Sequence, residues 1–532
     1  MKNNKKYILL HLLFWGLLSI PYIGNAQTPV KDNKIRASAD ATYVDNELFP
    51  GVNKMIGNVV FTQGQVIGYC DSAYLYREQN NLEAFGKRII IHLNDSVTLT
   101  GKHLFYTGNE RIAAISKDVQ LHDNTTTLYT DSLIYNLNTD IGYYVTGGKT
   151  VNNENTLTSL LGHYYTNENT VILKENVLLV NESYTMNCDS LAFNTDTEIC
   201  YFISRTHLVS EDNEIFTNRG WYDTKQDISL LIDDVSIYNK EQKVFGDSIH
   251  YNKNEGFGKG WNNIVLVDTI KNYIAKGDYV EYYENGGIST ITDNALLIMI
   301  DKSDSLYVHA DTFKIHIDSL QNMELLRGYY HVKFFRDDMQ GACDSLVYIA
   351  TDSIMIMYYN PVVWSSEYQL TADTIVFKNI DSVNSEIHLI KAGFIVSSIY
   401  DDTEFNQIKG LTIIGHLYNQ EIQTIDVIGN AECLYYILEE DSSLIGINSS
   451  ATSEMRITFE DNKIQYLTMY NQPDGKIYPD SMLPEEDRRL KDFRWLSLYR
   501  PLKVEDLFIN PIPRKKNLET ETEMEISEQV NE

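Results

Sequence analysis

The sequence is poor in proline, with 10 in 532 residues, and in cysteine, with five. Scarce proline removes an obstacle to extended sheet, because proline cannot donate to a strand ladder. Basic residues are outnumbered, 44 Lys and Arg against 74 Asp and Glu, for a formal charge of −30. Phosphate binding needs clustered cations, so nucleic acid is excluded as a natural partner, and an anionic lipid surface should repel this exterior. Beyond the N-terminus no apolar run is long enough to cross a membrane as a helix. HExxH, paired CxxC, GxSxG and phosphate-binding glycine loops are all missing, and the twelve histidines are scattered. No catalytic residues, metal ligands or cofactor are expected, and the chain does not read as an enzyme.

What the chain has instead is a repeat. The unit is Thr130-Asp131-Ser132-Leu133-Ile134-Tyr135-Asn136, which reads as a short strand opened by Asp-Ser. Asp71, Asp189, Asp247, Asp278, Asp311, Asp344 and Asp373 open similar runs. Degenerate copies lie between them, for a period of about thirty residues and about twelve repeats. Two residues after the Asp stand Ala73, Leu133, Leu191, Ile249, Val280, Phe313, Leu346 and Ile375. Four residues after it stand Leu75, Tyr135, Phe193, Tyr251, Tyr282, Ile315, Tyr348 and Phe377. Alternation puts both positions on one strand face, so stacked repeats should build a continuous apolar and aromatic stripe. A second phrase, such as Asp118-Val119-Gln120-Leu121 or Asp234-Val235-Ser236-Ile237, reads as a turn residue followed by another strand.

The recurring Asp suggests a metal ladder, but backbone hydrogen bonding explains it better, since neighbouring repeats lack the companion carboxylates a hard cation needs. Cys70, Cys188 and Cys343 share the slot before the Asp, and His163 and His416 share an inward slot with a packing role. At about 4.8 Å per strand, Cys70 and Cys188 sit roughly 20 Å apart, beyond disulfide reach. Cys188 and Cys200 are the one pair close in sequence.

Residues 1–26 read as a secretory signal peptide: Lys2, Lys5 and Lys6, an apolar middle from Ile8 to Ile20, and cleavage after Ala26. Cleavage would remove three lysines, leaving 41 − 74 = −33. The β repeats are expected over 35–310, with further repeats over 311–470. Pro484 to Leu498 suits one helix with an acidic first turn, within a C-terminal cap at 471–510. Residues 511–532 read as a disordered acidic tail.

The phrases Gly57-Asn58-Val59, Val66 to Tyr76 and Leu128 to Tyr135, with the late Ile428 to Tyr436 and Phe493-Arg494-Trp495, resemble the OstA-like N-terminal domain family. That is the fold of periplasmic bridge proteins of lipopolysaccharide transport, and the length is similar to long OstA-like proteins of Bacteroidetes-type bacteria. The resemblance implies an all-β, elongated antiparallel β-jellyroll, a folded-over β-taco whose apolar interior shields acyl chains. It also implies a non-enzymatic periplasmic protein, peripheral at the outer membrane, that helps lipopolysaccharide reach and assemble that membrane. Its partners would be lipopolysaccharide, other lipopolysaccharide-transport proteins through edge-strand pairing, and further copies of itself. Leu133, Tyr135, Leu191, Phe193, Ile249, Tyr251, Val280 and Tyr282 are the expected lipid path. The rival reading is a closed-core structural or adhesive exported β-solenoid. A glycan-acting β-helix enzyme would need carboxylates on adjacent repeats, which Asp71, Asp131 and Asp189 do not supply.

Overall fold

The computed structural model describes residues 33–509, apart from 46, 48–49, 301–303, 319–321, 401, 420, 440–442 and 461–462. The expected signal peptide and acidic tail lie outside the described residues. Two compact units divide between Ile115 and Ser116. Both are built from antiparallel strands, and the only helices among the described residues are short 3-10 turns. The expectation of a folded-over antiparallel β architecture holds.

The local device behind the fold is a corner in the middle of each strand. In the second unit, strands Thr170–Val180, Ile228–Tyr238, Phe257–Asp268 and Met323–Arg336 each carry two consecutive residues at positive φ. The pairs are Glu175-Asn176, Asp233-Asp234, Asn262-Asn263 and Tyr330-His331. Apart from glycine, left-handed backbone is commonest at Asn and Asp, which fill five of these eight corner positions. Register shifts fall at the same points. One half of each strand pairs in a first leaf and the other in a second, as Thr170–Lys174 pairs with Ser190–Asn194 and Val177–Val180 with Thr185–Cys188. In other places the strand breaks outright, as between Ile141–Tyr144 and Gly148–Asn152.

Asp71, Asp131, Asp189, Asp247, Asp278 and Asp344 therefore sit at mid-strand, while Asp311 and Asp373 stand just before strands Thr312–Ile317 and Thr374–Asn379, and the Asp or Asn before the second phrase is a corner, not a turn between strands. The Asp carboxylates tie neighbouring corners together. Asp247 accepts from Asn263 Nδ2 at 2.8 Å, and Asp278 from Asn294 Nδ2 at 2.6 Å. Asp311 meets the His331 ring at 2.9 Å. These hydrogen bonds from corner to corner are the contacts the Asp ladder makes.

The leaves bury one face against each other. Phe313, Leu326 and Leu346 of the first leaf share one core with Val308, Phe334 and Val363 of the second. Large rings fit because glycine lies beneath them: a Cβ on Gly162 would stand 2.3 Å from the Tyr144 ring. The first unit repeats the scheme. Strands Val52–Gln63, Val66–Tyr76, Asn81–His92 and Val97–Thr107 enclose Phe61, Leu82, Ile89 and Leu99, and Asp71 accepts the Lys87 N–H at 2.8 Å.

Residues 480–508 form no continuous helix; they hold 3-10 turns such as Glu485–Arg488 and Ser497–Tyr499. The segment is a strap along the outer face of the second leaf. Gln369, wholly buried, donates to the Arg494 carbonyl at 2.8 Å and accepts from the Leu496 N–H at 2.7 Å. Gln407 holds the Arg488 carbonyl and the Leu490 N–H in the same way, each at 2.8 Å. These bonds need the strap's backbone groups free for the sheet, which an α-helix would have consumed. Phe493 and Trp495 pack on Phe394 and Phe405, Leu496 on Trp364, and Leu507 on Leu296 and Ile298.

Candidate functional site

Strand register in the second unit strings the inward residues nearest the leaf tips into one row. Starting at Tyr135, the partners run Gly142, Tyr164, Val171, Phe193, Cys200, Tyr222, Ser229, Tyr251, Gly258 and Tyr282. They continue through Ser289, Ile315, Leu326, Tyr348, Met355, Phe377 and Ile387. Leu191, Ile249 and Val280 lie in the parallel row one step closer to the corners, with Leu231 and Gly260 between them. The structure thus brings the residues of the sequence ladder together on the inner face.

Burial divides the row. Leu133, Tyr135, Leu191 and Phe193 are at most 1% exposed, within a filled core. Ile249 is 9% exposed, and Tyr251, Val280 and Tyr282 are half-buried. From Tyr251 onward half-buried apolar side chains recur at the tips of both leaves, interrupted in the row by Ile315 and Leu326, which are 5% and 1% exposed. Met323, Tyr348, Met355, Phe377 and Ile387 lie on the first leaf, facing Leu306, Met339 and Leu370 on the second. The result is an apolar groove mouth with two walls. Its thioethers are flexible and polarizable, so the lining can adapt to an irregular apolar guest. Burial pushes the Tyr251 phenol up to about 12, with the Glu284 carboxylate adding to the rise, so this wall stays neutral.

Before Tyr251 the mouth is closed by polar contacts. Tyr164 Oη donates to the Asp123 carboxylate at 2.9 Å, from the first leaf to the second. Asn152 Nδ2 donates to the Thr195 carbonyl at 3.0 Å, and Asn153 and Asn155 donate to Glu198 at 2.5 and 3.3 Å. The Tyr184 ring meets the edge of Tyr222 at 5.5 Å. Burial raises the Asp123 carboxyl above its ordinary value against the opposing effect of Tyr164. The first unit has its own closure, where Tyr106 Oη donates to Gln63 and Gln63 Nε2 donates to the Gly108 carbonyl at 2.8 Å.

His163 and His416 do not point inward. Gly162, Tyr164 and Gly415 are the inward neighbours, so strand alternation turns both histidines to the outer face. His416 instead lies 3.3 Å from Glu386 and 3.2 Å from Asp426. All five cysteines are free, Cys188 and Cys200 included. The methionine lining escaped the sequence reading because Met355 and Ile387 carry no Asp four residues before them. Their row could have been found by counting strand partners outward from Phe377. The strap also left a signal: Val362-Val363-Trp364 and Phe394-Ile395-Val396 are apolar at both alternations, as strands covered on both faces are.

Residues 32–189 and 162–247 match the model of the OstA-like protein family. No curated protein matches the chain. Among solved structures the chain is similar to the crystal structure of LptH from Pseudomonas aeruginosa, described as the LptA homologous periplasmic component of the conserved lipopolysaccharide transport device. The identity is 16%, over 32% of this chain and 82% of that one, with a TM-score of 0.10. No helix among the described residues is long and apolar enough to cross a membrane.

Proposed function

We propose that this chain, OstA-like over residues 32–247, is a non-enzymatic periplasmic protein that holds the acyl chains of lipopolysaccharide on their way to the outer membrane. One observation carries the reading: the half-buried apolar side chains that recur on both leaves between Tyr251 and Ile387. Burying about ten methylenes there gains roughly 8 kcal/mol before the cost of ordering the chain. No cation is needed to hold an apolar chain, and the net charge of −30 suits a head group left in water. In this reading the path is Ile249, Tyr251, Val280 and Tyr282 continued through Met355 and Phe377. Leu133, Tyr135, Leu191 and Phe193 join it only where the leaves part. Export by a signal peptide cleaved after Ala26, self-association, edge-strand pairing with other transport proteins and a place beside the outer membrane belong to the same proposal. The test is lipopolysaccharide binding by the full chain carrying Tyr282→Ser and Phe377→Ser. Affinity should fall at least about tenfold, given the loss of two aromatic side chains. Unchanged affinity in a folded variant would reject the reading.

A further inference from the structure

The interior row is continuous from Tyr135 to Ile387, yet its chemistry at the leaf tips changes near Lys225. On the N-terminal side the tips meet through amides and carboxylates. Asn152 and Asn155 are at most 1% exposed, and the Glu198 residue is 8% exposed. Asn152 bonds the Thr195 carbonyl of the opposite leaf, and Asn153 and Asn155 bond Glu198. Asn181 Nδ2 donates to Asn155 Oδ1 at 3.1 Å, and Lys225 Nζ lies 3.4 Å from Glu198. The Tyr184 and Tyr222 rings meet just inside this belt. On the C-terminal side the same tip positions are Tyr251, Tyr282, Tyr348 and Met355, all half-buried.

An acyl chain sliding toward Phe193 would have to separate these leaf tips. It offers no hydrogen bond in return, so each separated amide or carboxylate would stay buried and unpaired. Moving the other way it meets half-buried Tyr282, Tyr348 and Met355, and the polar groups beside them pair within one leaf, Gln242 with Asp268 at 3.2 Å and Tyr251 with Glu284 at 3.3 Å. We propose that the belt of Asp123, Asn152, Asn155, Tyr164 and Glu198 is a polar stop that ends the lipid path. Lipid occupies the groove C-terminal to Lys225 and does not enter the interior from Leu133 to Phe193. The inference rests on the lipid-holding reading above and gives that groove one closed end.

The experiment uses the unaltered full chain and a lipopolysaccharide bearing a photoreactive group at an acyl terminus, with adducts mapped by mass spectrometry. Adducts within 249–282 and 323–387, at least tenfold above those within 133–193, are the expected result. Adducts of equal yield in both stretches would overturn the stop while leaving the lipid reading intact. Adducts in neither would overturn both. A second chain carries Asn152→Ala and Glu198→Ala, with folding checked by circular dichroism. Adducts should then spread to Leu191 and Phe193; a pattern unchanged from the parent chain would show that the belt is not the barrier. If the doubly substituted chain does not fold, the comparison in the parent chain still decides.

Discussion

Gln369→Leu should release the middle of the strap. The Gln369 side chain is wholly buried and serves two backbone groups at once, the Arg494 carbonyl and the Leu496 N–H. Leucine keeps the volume and removes both partners. Leaving a buried polar group unsatisfied costs about 1–3 kcal/mol, so two such groups put the loss near 2–6 kcal/mol. At about 1.4 kcal/mol per decade, the opening equilibrium shifts by roughly thirtyfold to twenty-thousandfold. Hydrogen exchange of the full chain reads this directly, at the Leu496 amide and its neighbours from Arg488 to Arg500. The strands beneath, such as Met339–Ile349, should keep their protection. Gln465→Leu is the control, because Gln465 bonds Glu460 on an exposed surface. An unchanged rate at Leu496 in folded Gln369→Leu would refute the idea that these amides hold the strap.

Other consequences follow from ionisation. Burial raises the Asp123 carboxyl in the folded state, so the folded chain binds that proton more tightly than the unfolded one. Its contribution is favourable below the ordinary value of 3.8 and is lost as pH rises through the raised folded value. Asp123→Asn should therefore raise the thermal midpoint at pH 7 and leave it nearly unchanged below pH 3.8; an equal shift at both would exclude an ionisation effect. Asp426 behaves oppositely. The Arg456 guanidinium hydrogen-bonds it and lowers its carboxyl, so its stabilisation is present above 3.8 and lost as pH falls through the lowered value. Arg456→Met should flatten the acid limb of a pH–stability curve, and an unaltered limb would show that the pair adds nothing. Burial pushes the thiols up, Cys433 to about 12 and Cys188 to about 11. A thiol reagent at pH 8 should titrate almost none of the five in native protein and all of them in guanidinium.

Much of the interior was legible because strand alternation is rigid. Tyr135, Phe193, Tyr251 and Tyr282 were separated by repeat spacing alone, and backbone register joins them into one row. The corners were misread for a local reason. Asn and Asp favour turns and left-handed backbone alike, and the sequence does not distinguish a chain reversal from a bend that continues the strand. His163 and His416 were misplaced by one residue, which in a strand inverts the face. The strap is a long-range contact: Gln369 and Leu496 lie 127 residues apart, and no local pattern joins them. The change from closed to open mouth was also hidden. Tyr164 and Tyr251 occupy equivalent repeat positions, but only Tyr164 finds a carboxylate on the opposite leaf.

The central claim is that the half-buried mouth takes up acyl chains, and in-cell photocrosslinking at position 282 tests it most directly. A photoreactive residue replaces Tyr282 in one strain and Tyr283, its outward and 44% exposed neighbour, in another. A lipopolysaccharide adduct at 282 and not at 283 is the predicted result. Adducts at neither position, or at 283 alone, in folded and exported protein would contradict the account.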